Sequence, residues 1–359
     1  LRVNTLQNTS TTDGGISINA SGHVTVDGVA MPSAGPFSNR NLVINGAMQV
    51  AQRGTSSTAN GYLLDRFKLD ATGSKQLTQE SLTSGTPYNE GFRNFLRLQN
   101  TGTATGATDY REILQWIEAQ NIAQSGWNYA SSDSYVTLSF WVRASVGQTY
   151  YVLLRTQDGT EQNYGIPFTL SADTWTKVTK TIPGNSGITI NNDNGKGLGV
   201  YFYPFIGTDY TDSGYTTETW AAHSSSAQLP DMTNTWAGTT NATFDITGVQ
   251  LEVGSVATPF ERRSFGDELA RCQRYYFQTG NEVGAFGSPS SGGYALNEVY
   301  RFPVQMRAAP SITRSYTGAS NLSSTNNQQT LATHVTEQRI ATGAGNVYWT
   351  FSLTASAEL

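Results

Sequence analysis

The chain has 359 residues, which is too long for one ordinary β domain and predicts two or three units, each with its own core. Its net charge is -5 and its lysines and arginines are scattered, which argues against binding along the phosphates of a nucleic acid. Charged residues make up 14% of the chain and aromatic residues 11%, and Gly, Ser, Thr and Asn are abundant, a composition typical of an extracellular or virion β protein.

Cysteines, histidines and long apolar runs are scarce in this sequence. Its one cysteine, Cys272, cannot form an intramolecular disulfide, so stability is expected from packing or oligomerisation. The three histidines, His23, His223 and His334, lack the paired spacing of a zinc site, and we predict no metal and no cofactor. No stretch approaches the roughly 18 apolar residues of a membrane span, and the N-terminus lacks the signal-peptide pattern, so neither membrane insertion nor export by a signal peptide is expected.

Residues 1–40 contain short alternating pieces at 16–18 and 24–26, separated by turn-like residues. The apolar side chains of this segment are Val3, Leu6, Ile16, Ile18, Val24, Val26, Val29 and Met31. Burying so few side chains does not offset the conformational entropy lost by ordering forty residues. We therefore predict an intertwined β segment in which copies of the chain bury one another, because homo-oligomers are usually closed and symmetric. A flexible N-terminal tail is the alternative.

Residues 41–263 are predicted to form one large antiparallel sandwich. In "YVTLSFWVRAS" the residues Val136, Leu138, Phe140 and Val142 share one face, and other short strands follow at the spacing of a jelly roll. The segment "DYREILQWIEAQNIA" fits either a short helix or a strand buried on both faces.

A long polar stretch between residues 208 and 243 is expected to carry function, since loops of this length in compact domains are usually functional or disordered. Its aromatic residues, candidates for stacking on sugars, are Tyr210, Tyr215, Trp220 and Trp236. The alternative is that Trp220 or Trp236 covers the open end of the sandwich or lies at a subunit contact. Carboxylates are present in this stretch, but their spacing defines no catalytic pair, so we predict that the protein is not an enzyme.

Residues 264–277 are predicted to form a linking helix. Ser264 followed by Asp267 resembles a capping box, and an apolar stripe follows at helical spacing. The stripe consists of Phe265, Leu269, Cys272 and Tyr276. A stripe this narrow suits a joint between domains or a trimer seam, and a connector packed on its own chain is the alternative.

Residues 278–359 are predicted to form a small β tip domain. In the closing "NVYWTFSLTAS" the residues Val347, Trp349, Phe351 and Leu353 alternate. Tyr294, in the turn-rich "GSPSSGGYALN", is a candidate receptor contact on this domain.

Four motifs carry a resemblance to a known family, and they are "NLVINGAMQVAQRGTS", "LSFWVRAS", "ITGVQLEVGSVATPFERRSFGDELARCQRYY" and "YRFPVQMRAAPSIT". They resemble receptor-binding tail fibre proteins of marine podoviruses, especially cyanophages, and the central region is similar to jelly-roll carbohydrate-binding modules. The resemblance implies a homotrimer on the virion that grips other tail or virion proteins through its N-terminal segment and binds a host surface glycan or lipopolysaccharide. Modules of this kind often hold calcium with acidic residues where this chain has Gln49 and Gly248, so no structural calcium is expected.

The sequence therefore predicts an all-β protein with an intertwined N-terminal segment, a jelly-roll body, a short linking helix and a small β tip. The expected function is adsorption of a phage to a bacterial surface glycan without catalysis. Two alternatives are a purely structural virion fibre or capsid decoration, and a glycan depolymerase.

Overall fold

The computed structural model describes residues 5–7, 15–20, 22–33, 37–280 and 283–359, without the side chains of 5–7 and 324–326. Contacts between its residues divide the chain into two compact units, Leu1–Arg263 and Ser264–Leu359. Apart from four short α-helices and one 3-10 turn at Thr208–Tyr210, the regular structure of the described residues is β, as the sequence predicted.

A small antiparallel meander opens the first unit. Its strands, in sheet order, are β1 (Thr5–Gln7), β2 (Gly15–Ile18), β3 (Val24–Val26) and β4 (Val29–Ala30). Ile16 pairs with Val26, and Val26 pairs with Val29, so these side chains share one face. The exposed fractions of the three are 42%, 37% and 48%, so the apolar face of the meander stays open to solvent within this chain. Val3 and the side chain of Leu6, which belong to the predicted apolar set, lie outside the described residues.

Two antiparallel sheets make up the body of the first unit. The seven-stranded sheet has the order β16-β13-β12-β15-β10-β7-β6, and the six-stranded sheet has the order β14-β11-β17-β9-β8-β5. The strands are β5 (Ser56–Ser57), β6 (Gly61–Tyr62), β7 (Lys68–Ala71), β8 (Lys75–Ser81), β9 (Asn94–Asn100), β10 (Tyr110–Glu118), β11 (Tyr135–Ala144), β12 (Thr149–Thr156), β13 (Gln162–Thr169), β14 (Thr176–Pro183), β15 (Lys196–Ile206), β16 (Ala221–Ala222) and β17 (Thr243–Val253). Three short helices lie between them: α1 (Thr86–Asn89), α2 (Ala119–Ala123) and α3 (Thr235–Gly238).

The core of the body lies between the two sheets, because each strand turns its apolar alternate residues inward. The predicted inward residues of β11, Val136, Leu138, Phe140 and Val142, are fully buried there. The ambiguous segment around Trp116 is a strand buried on both faces, and its last residues continue into α2. The all-β jelly-roll prediction is confirmed.

The second unit begins with helix α4 (Phe265–Gln273). The Ser264 hydroxyl accepts a hydrogen bond from the Asp267 amide at 3.1 Å and donates one to the Asp267 carboxylate at 2.7 Å, so the predicted cap at Ser264 is present. The predicted end of the helix at residue 277 is wrong. Tyr276 belongs to the next strand, where it pairs with Ser356, and sheet pairing overrides the continuation of the apolar stripe.

Two further sheets form the rest of this unit. Its strands are β18 (Tyr276–Gln278), β19 (Val283–Gly287), β20 (Ala295–Arg301), β21 (Ser311–Ser320), β22 (Leu322–Thr330), β23 (His334–Ala341) and β24 (Val347–Ser356). Strands β18 and β19 follow one edge of β24 and β21 follows the other, while β20, β23 and β22 form a separate three-stranded sheet. Val347, Trp349, Phe351 and Leu353 are buried as their alternation predicted.

Candidate functional site

A cleft of about 260 Å³ lies on the outer face of the seven-stranded sheet, away from the core. Its walls come from neighbouring strands β10, β12 and β15 and from the loops that follow β15 and β16. The lining residues are Tyr110, Glu112, Arg155, Tyr201, Tyr203, Ile206, Tyr210 and Gln228. Four of the eight are tyrosines, and three others carry groups that form hydrogen bonds. The cleft therefore combines flat apolar rings with directional polar groups.

Strand alternation explains why these side chains meet. Leu114 of β10 pairs with Tyr201 of β15, and Tyr203 of β15 pairs with Tyr151 of β12. Every second residue of a strand lies on the same face, so the residues two positions from each of these also point to the outer face of the sheet. The register of β10 against β15 slips by one residue beside Glu112. Such a bulge re-aims side chains locally, and it brings the Glu112 carboxyl to the Tyr203 hydroxyl, with which it forms a hydrogen bond.

Two tyrosine rings form the floor of the cleft. The rings of Tyr201 and Tyr203 lie 6.1 Å apart with an angle of 7° between their planes. The ring of Trp116 meets Tyr201 edge-on at 5.6 Å, and it fixes the orientation of that ring. The two rings are nearly parallel and only 6% and 2% exposed, so they close the floor of the cleft, and the half-buried rings of Tyr110 and Tyr210 are those that a ligand can reach.

Glu112 is the acidic group that lines the cleft, and its pKa is raised. Burial, together with the charge of Asp70 on the neighbouring strand, raises the pKa of its carboxyl to about 7, against the opposing effects of hydrogen bonding from Tyr203 and the charges of Lys68 and Arg155. A carboxyl with this pKa is protonated in about half of the molecules at neutral pH. Glu112 can therefore donate as well as accept a hydrogen bond.

The other charges around the cleft are paired. Asp70 forms an ion pair with Lys68 at 3.1 Å and accepts a hydrogen bond from the Tyr110 hydroxyl at 3.1 Å. The Arg155 guanidinium donates to the Glu161 carboxylate at 2.7 Å. Because these charges are paired, the cleft has no strong net charge and offers little attraction to a charged ligand.

The loop after β15 forms the rim. The ring of Tyr210 meets Tyr110 edge-on at 5.8 Å, and the Tyr210 carbonyl accepts a hydrogen bond from the Gln228 amide at 2.8 Å. At the neighbouring strand β13, a Cβ placed on Gly165 would lie 2.8 Å from the Tyr215 ring, so the absent side chain there makes room for that ring against the sheet. The predicted residue Tyr210 lines the cleft, and Tyr215 covers the adjacent part of the same face.

The two predicted tryptophans of this stretch lie in the core. Trp236 is completely buried in α3, and its indole N–H donates to the Thr243 carbonyl at 2.9 Å. Trp220 is 8% exposed, packs against Tyr164 and donates to the Pro183 carbonyl at 2.7 Å. This placement corrects the expectation that Trp220 and Trp236 offer open rings to a ligand, because both indoles are occupied in packing the sandwich.

The remaining predicted site residues lie in the second unit. Tyr294 is 53% exposed in the turn before β20. In the helical stripe Phe265 is 57% exposed, Leu269 is half-buried and Cys272 is fully buried. Their roles as receptor contact and as joint stay predictions.

Sequence reasoning missed most of the cleft. The sequence predicts strands at Arg155, Tyr201 and Tyr203, either a helix or a strand at Glu112 and a polar stretch at Gln228, and it assigns none of these residues to a site. The alternation of tyrosines in "GVYFYP" is a signal that could have found one wall, because Tyr201 and Tyr203 share a face. No sequence pattern joins them to Glu112, which lies about 90 residues earlier in the chain.

The described residues contain no group of three or more His, Cys, Asp or Glu side chains placed to hold a metal ion. At the positions discussed for calcium, the Gln49 amide donates to the Asn45 side chain at 2.9 Å, and Gly248 has a φ of 63° with Phe92 against it. Among the described residues, no helix is both long enough and apolar enough to cross a membrane.

Comparisons with solved structures find likenesses of low sequence identity. A CBM4 carbohydrate-binding module shares 13% identity with a TM-score of 0.30, over 58% of this chain and 97% of that one. The CBM22-1 xylan-binding domain of Xyn10C from Paenibacillus barcinonensis shares 11% identity with a TM-score of 0.30, over 63% of this chain and 100% of that one. A putative sugar binding protein from Bacteroides thetaiotaomicron shares 12% identity with a TM-score of 0.29, over 59% of this chain and 99% of that one. No protein-family model matches the sequence, and no curated protein matches it.

Proposed function

We propose that the protein binds a glycan in the cleft on the outer face of its seven-stranded sheet. The single observation that carries the proposal is the lining of this cleft, in which four tyrosines surround Glu112, Arg155 and Gln228. A pyranose has an apolar face and a rim of hydroxyls, so a ligand of this kind needs flat rings beside hydrogen-bonding groups. The cleft supplies both within one cavity.

The charge pattern favours a glycan over other ligands of similar size. Lys68 and Arg155 are engaged by Asp70 and Glu161, so neither cation stands alone in the cleft to hold a phosphate or another strong anion. Glu112, half protonated at neutral pH, both donates and accepts, which matches the dual character of a sugar hydroxyl.

At a finer level, we propose that the chain is a non-enzymatic, homotrimeric tail fibre of a phage virion. In this role it would adsorb the particle to a bacterial surface glycan or lipopolysaccharide and attach to other virion proteins through its N-terminal segment. The motif around residues 246–276 supports the assignment by its resemblance to tail fibres. The open apolar face of the meander supports self-association, because burying it between copies would remove Ile16, Ile18, Val26 and Val29 from water.

The cleft is tested by removing two of its rings. In the variant Tyr110→Ala/Tyr210→Ala we expect affinity for the tightest-binding glycan to fall about 10- to 100-fold, since each ring contributes on the order of 1 kcal/mol beyond area burial. The ligand is found by probing an array of bacterial polysaccharides and lipopolysaccharides with the full-length protein, and its dissociation constant is then measured by calorimetry.

Tyr88→Ala is the matched control for this experiment. Tyr88 is a half-buried tyrosine of the first unit that lies under the Arg93 guanidinium, outside the cleft, so its removal should leave affinity unchanged. If the cleft variant binds every ligand as tightly as the unaltered protein, the cleft is not the binding site.

The homotrimer is tested by the mass of the full chain in solution. Light scattering should give three times 38.8 kDa, and Ile16→Asp should lower the mass because it places a charge on the apolar face of the meander. Thr25→Asp puts the same charge on the opposite face of the same meander and should leave the mass unchanged. A mass of one chain for the unaltered protein would contradict self-association.

One observation favours hydrolysis as a second candidate function. Glu112 has a pKa of about 7 and is the direct cross-strand partner of Asp70, which resembles the acid and carboxylate pair of glycosidases. Binding is the stronger proposal, because both Asp70 oxygens already accept hydrogen bonds from Lys68, Asn60 and Tyr110. If the unaltered protein releases reducing ends from the bound glycan and Glu112→Gln does not, the function is hydrolysis and the proposal of binding without catalysis is wrong.

A further inference from the structure

The second unit carries an exposed aromatic pair on a face with no assigned role. Strands β19, β24 and β21 lie side by side, and alternate residues of each point away from the buried core of the unit. The outward residues, which we call the tip face, are Gly284, Phe286, Ser311, Thr313, Ser315, Gly318, Ser320, Tyr348, Thr350, Ser352, Thr354 and Ser356. All of these positions lie in the described part of the chain.

The two rings of the tip face are directly opposed across the strand pair. Phe286 pairs with Tyr348, their ring centroids lie 6.2 Å apart and the angle between the ring planes is 24°. Phe286 is 75% exposed and Tyr348 is 38% exposed. The two rings are therefore neighbours of similar orientation, and the described residues of this unit leave both accessible to a ligand.

Two glycines occupy the next row of the tip face, so no side chain projects from the sheet at these positions beside the two rings. Gly284 and Gly318 both pair with Thr350, on opposite sides of it. A Cβ on Gly318 would lie 3.3 Å from the Tyr348 ring, and a Cβ on Gly284 would lie 3.6 Å from the Phe286 ring. Both rings therefore lean over the glycine row, and each leaves one face open to solvent.

Hydroxyl groups continue the tip face beyond the rings. Thr350 lies roughly 7 Å from Tyr348 along the strand, and its hydroxyl is 2.9 Å from that of Thr317 in the bulge of β21. Ser352 and Ser315 form the following row, directly opposite each other. Each hydroxyl both donates and accepts hydrogen bonds, as the hydroxyls of a sugar do.

The tip face contains no charged side chain. Its twelve outward residues are serines, threonines, glycines and two aromatic residues, while the Arg314 of β21 points inward to Glu337. A phosphate backbone or an acidic polysaccharide would find no cation on this surface. A protein interface of ordinary size usually has a more apolar core than two rings among hydroxyls and glycines.

We propose that the tip face is a second binding site, and that it takes an uncharged glycan whose sugar rings stack on Phe286 and Tyr348 while its hydroxyls reach the rows of Ser and Thr. This site is distinct from the cleft of the first unit and does not depend on it. An oligomer would carry several copies of both sites, so that individually weak contacts would together hold the protein on a glycan surface by avidity.

The test uses the full-length chain in four forms: unaltered, Tyr110→Ala/Tyr210→Ala, Phe286→Ala/Tyr348→Ala, and the combination of all four substitutions. Each is applied to an array of neutral and acidic polysaccharides, and dissociation constants are measured for the neutral glycans that bind. We expect Phe286→Ala/Tyr348→Ala to weaken a set of neutral glycans by about fivefold for each ring removed, with no change for acidic ones. Val299→Ala, which removes another exposed apolar side chain of the same unit, should change no signal.

The outcomes separate the two sites. If Phe286→Ala/Tyr348→Ala keeps every signal while the cleft variant loses them, the tip site is wrong and the cleft stands. If the tip variant loses neutral glycans and the cleft variant loses none, the cleft proposal falls and the tip site stands. Binding of no neutral glycan by the unaltered chain, or a lower mass of the tip variant in light scattering, overturns the tip site, since a lower mass would mean that the face contacts another copy.

Discussion

Between pH 4.5 and pH 7 the unfolding free energy of the unaltered protein is expected to fall by about 3 kcal/mol relative to that of Glu112→Gln. Folding raises the pKa of the Glu112 carboxyl from 4.5 to about 7, so in this pH window the folded chain binds a proton that the unfolded chain has lost. Stability then decreases by about 1.4 kcal/mol per pH unit as pH rises, and the loss is complete above the folded-state pKa. Glutamine mimics the protonated carboxyl and removes this contribution.

Urea unfolding at a series of pH values measures the difference. Tryptophan fluorescence reports mainly on the first unit, which holds six of the seven tryptophans. Glu218→Gln removes the same charge from an exposed side chain, 47% accessible, and controls for the change in net charge. Parallel pH profiles for the unaltered protein and Glu112→Gln would contradict the raised pKa and, with it, the dual hydrogen-bonding role of Glu112 in the cleft.

Trp236→Ala is expected to lower the unfolding free energy by about 3 to 5 kcal/mol, as large-to-small substitutions of buried aromatic residues do. The indole is completely buried, its ring packs near Phe244, and its N–H donates to the Thr243 carbonyl, which would lose one of its two donors and keep the Ser145 amide. Well below the unfolding temperature, glycan affinity should be unchanged, because Trp236 lies in the core and the cleft lies on the outer face of the sheet.

Trp175→Ala is the matched control for this substitution. Trp175 is half-buried and lies under the Arg143 guanidinium, so its removal should cost clearly less than that of Trp236. Thermal and urea unfolding measure stability, and calorimetry measures glycan affinity on the folded protein. Loss of binding in Trp236→Ala with unchanged stability would restore this residue to the ligand surface and contradict its place in the core.

The positions of the aromatic residues after β15 show what a sequence pattern can predict and what it cannot. The sequence places Tyr210, Tyr215, Trp220 and Trp236 in one polar stretch, and composition alone favours an exposed platform there. In the folded chain the stretch passes the outer face at Tyr210 and Tyr215 and then enters the core with its tryptophans. Burial of an indole depends on where the two sheets leave a gap, and that gap is made by residues far away in the chain.

The helix that follows Ser264 has a start that the local sequence predicts and an end that it does not predict. Its start follows from local chemistry, because the Ser264 cap needs only an amide and a carboxylate three residues away. Its end depends on a distant partner, since Tyr276 joins a strand paired with Ser356, eighty residues later. Local signals therefore predict where this helix begins and miss where it ends.

Local sequence patterns suffice to predict the all-β class, the alternation that separates the two faces of strands such as β11 and β24, and the helical start that follows the first unit. Which faces meet becomes visible only in the folded chain, because a period of two shows that residues share a side of a strand and leaves open which side packs against the other sheet. The cleft around Glu112 and the rings of Phe286 and Tyr348 both arise across paired strands that are distant in sequence. Register and sheet order, which no single segment encodes, bring those side chains together.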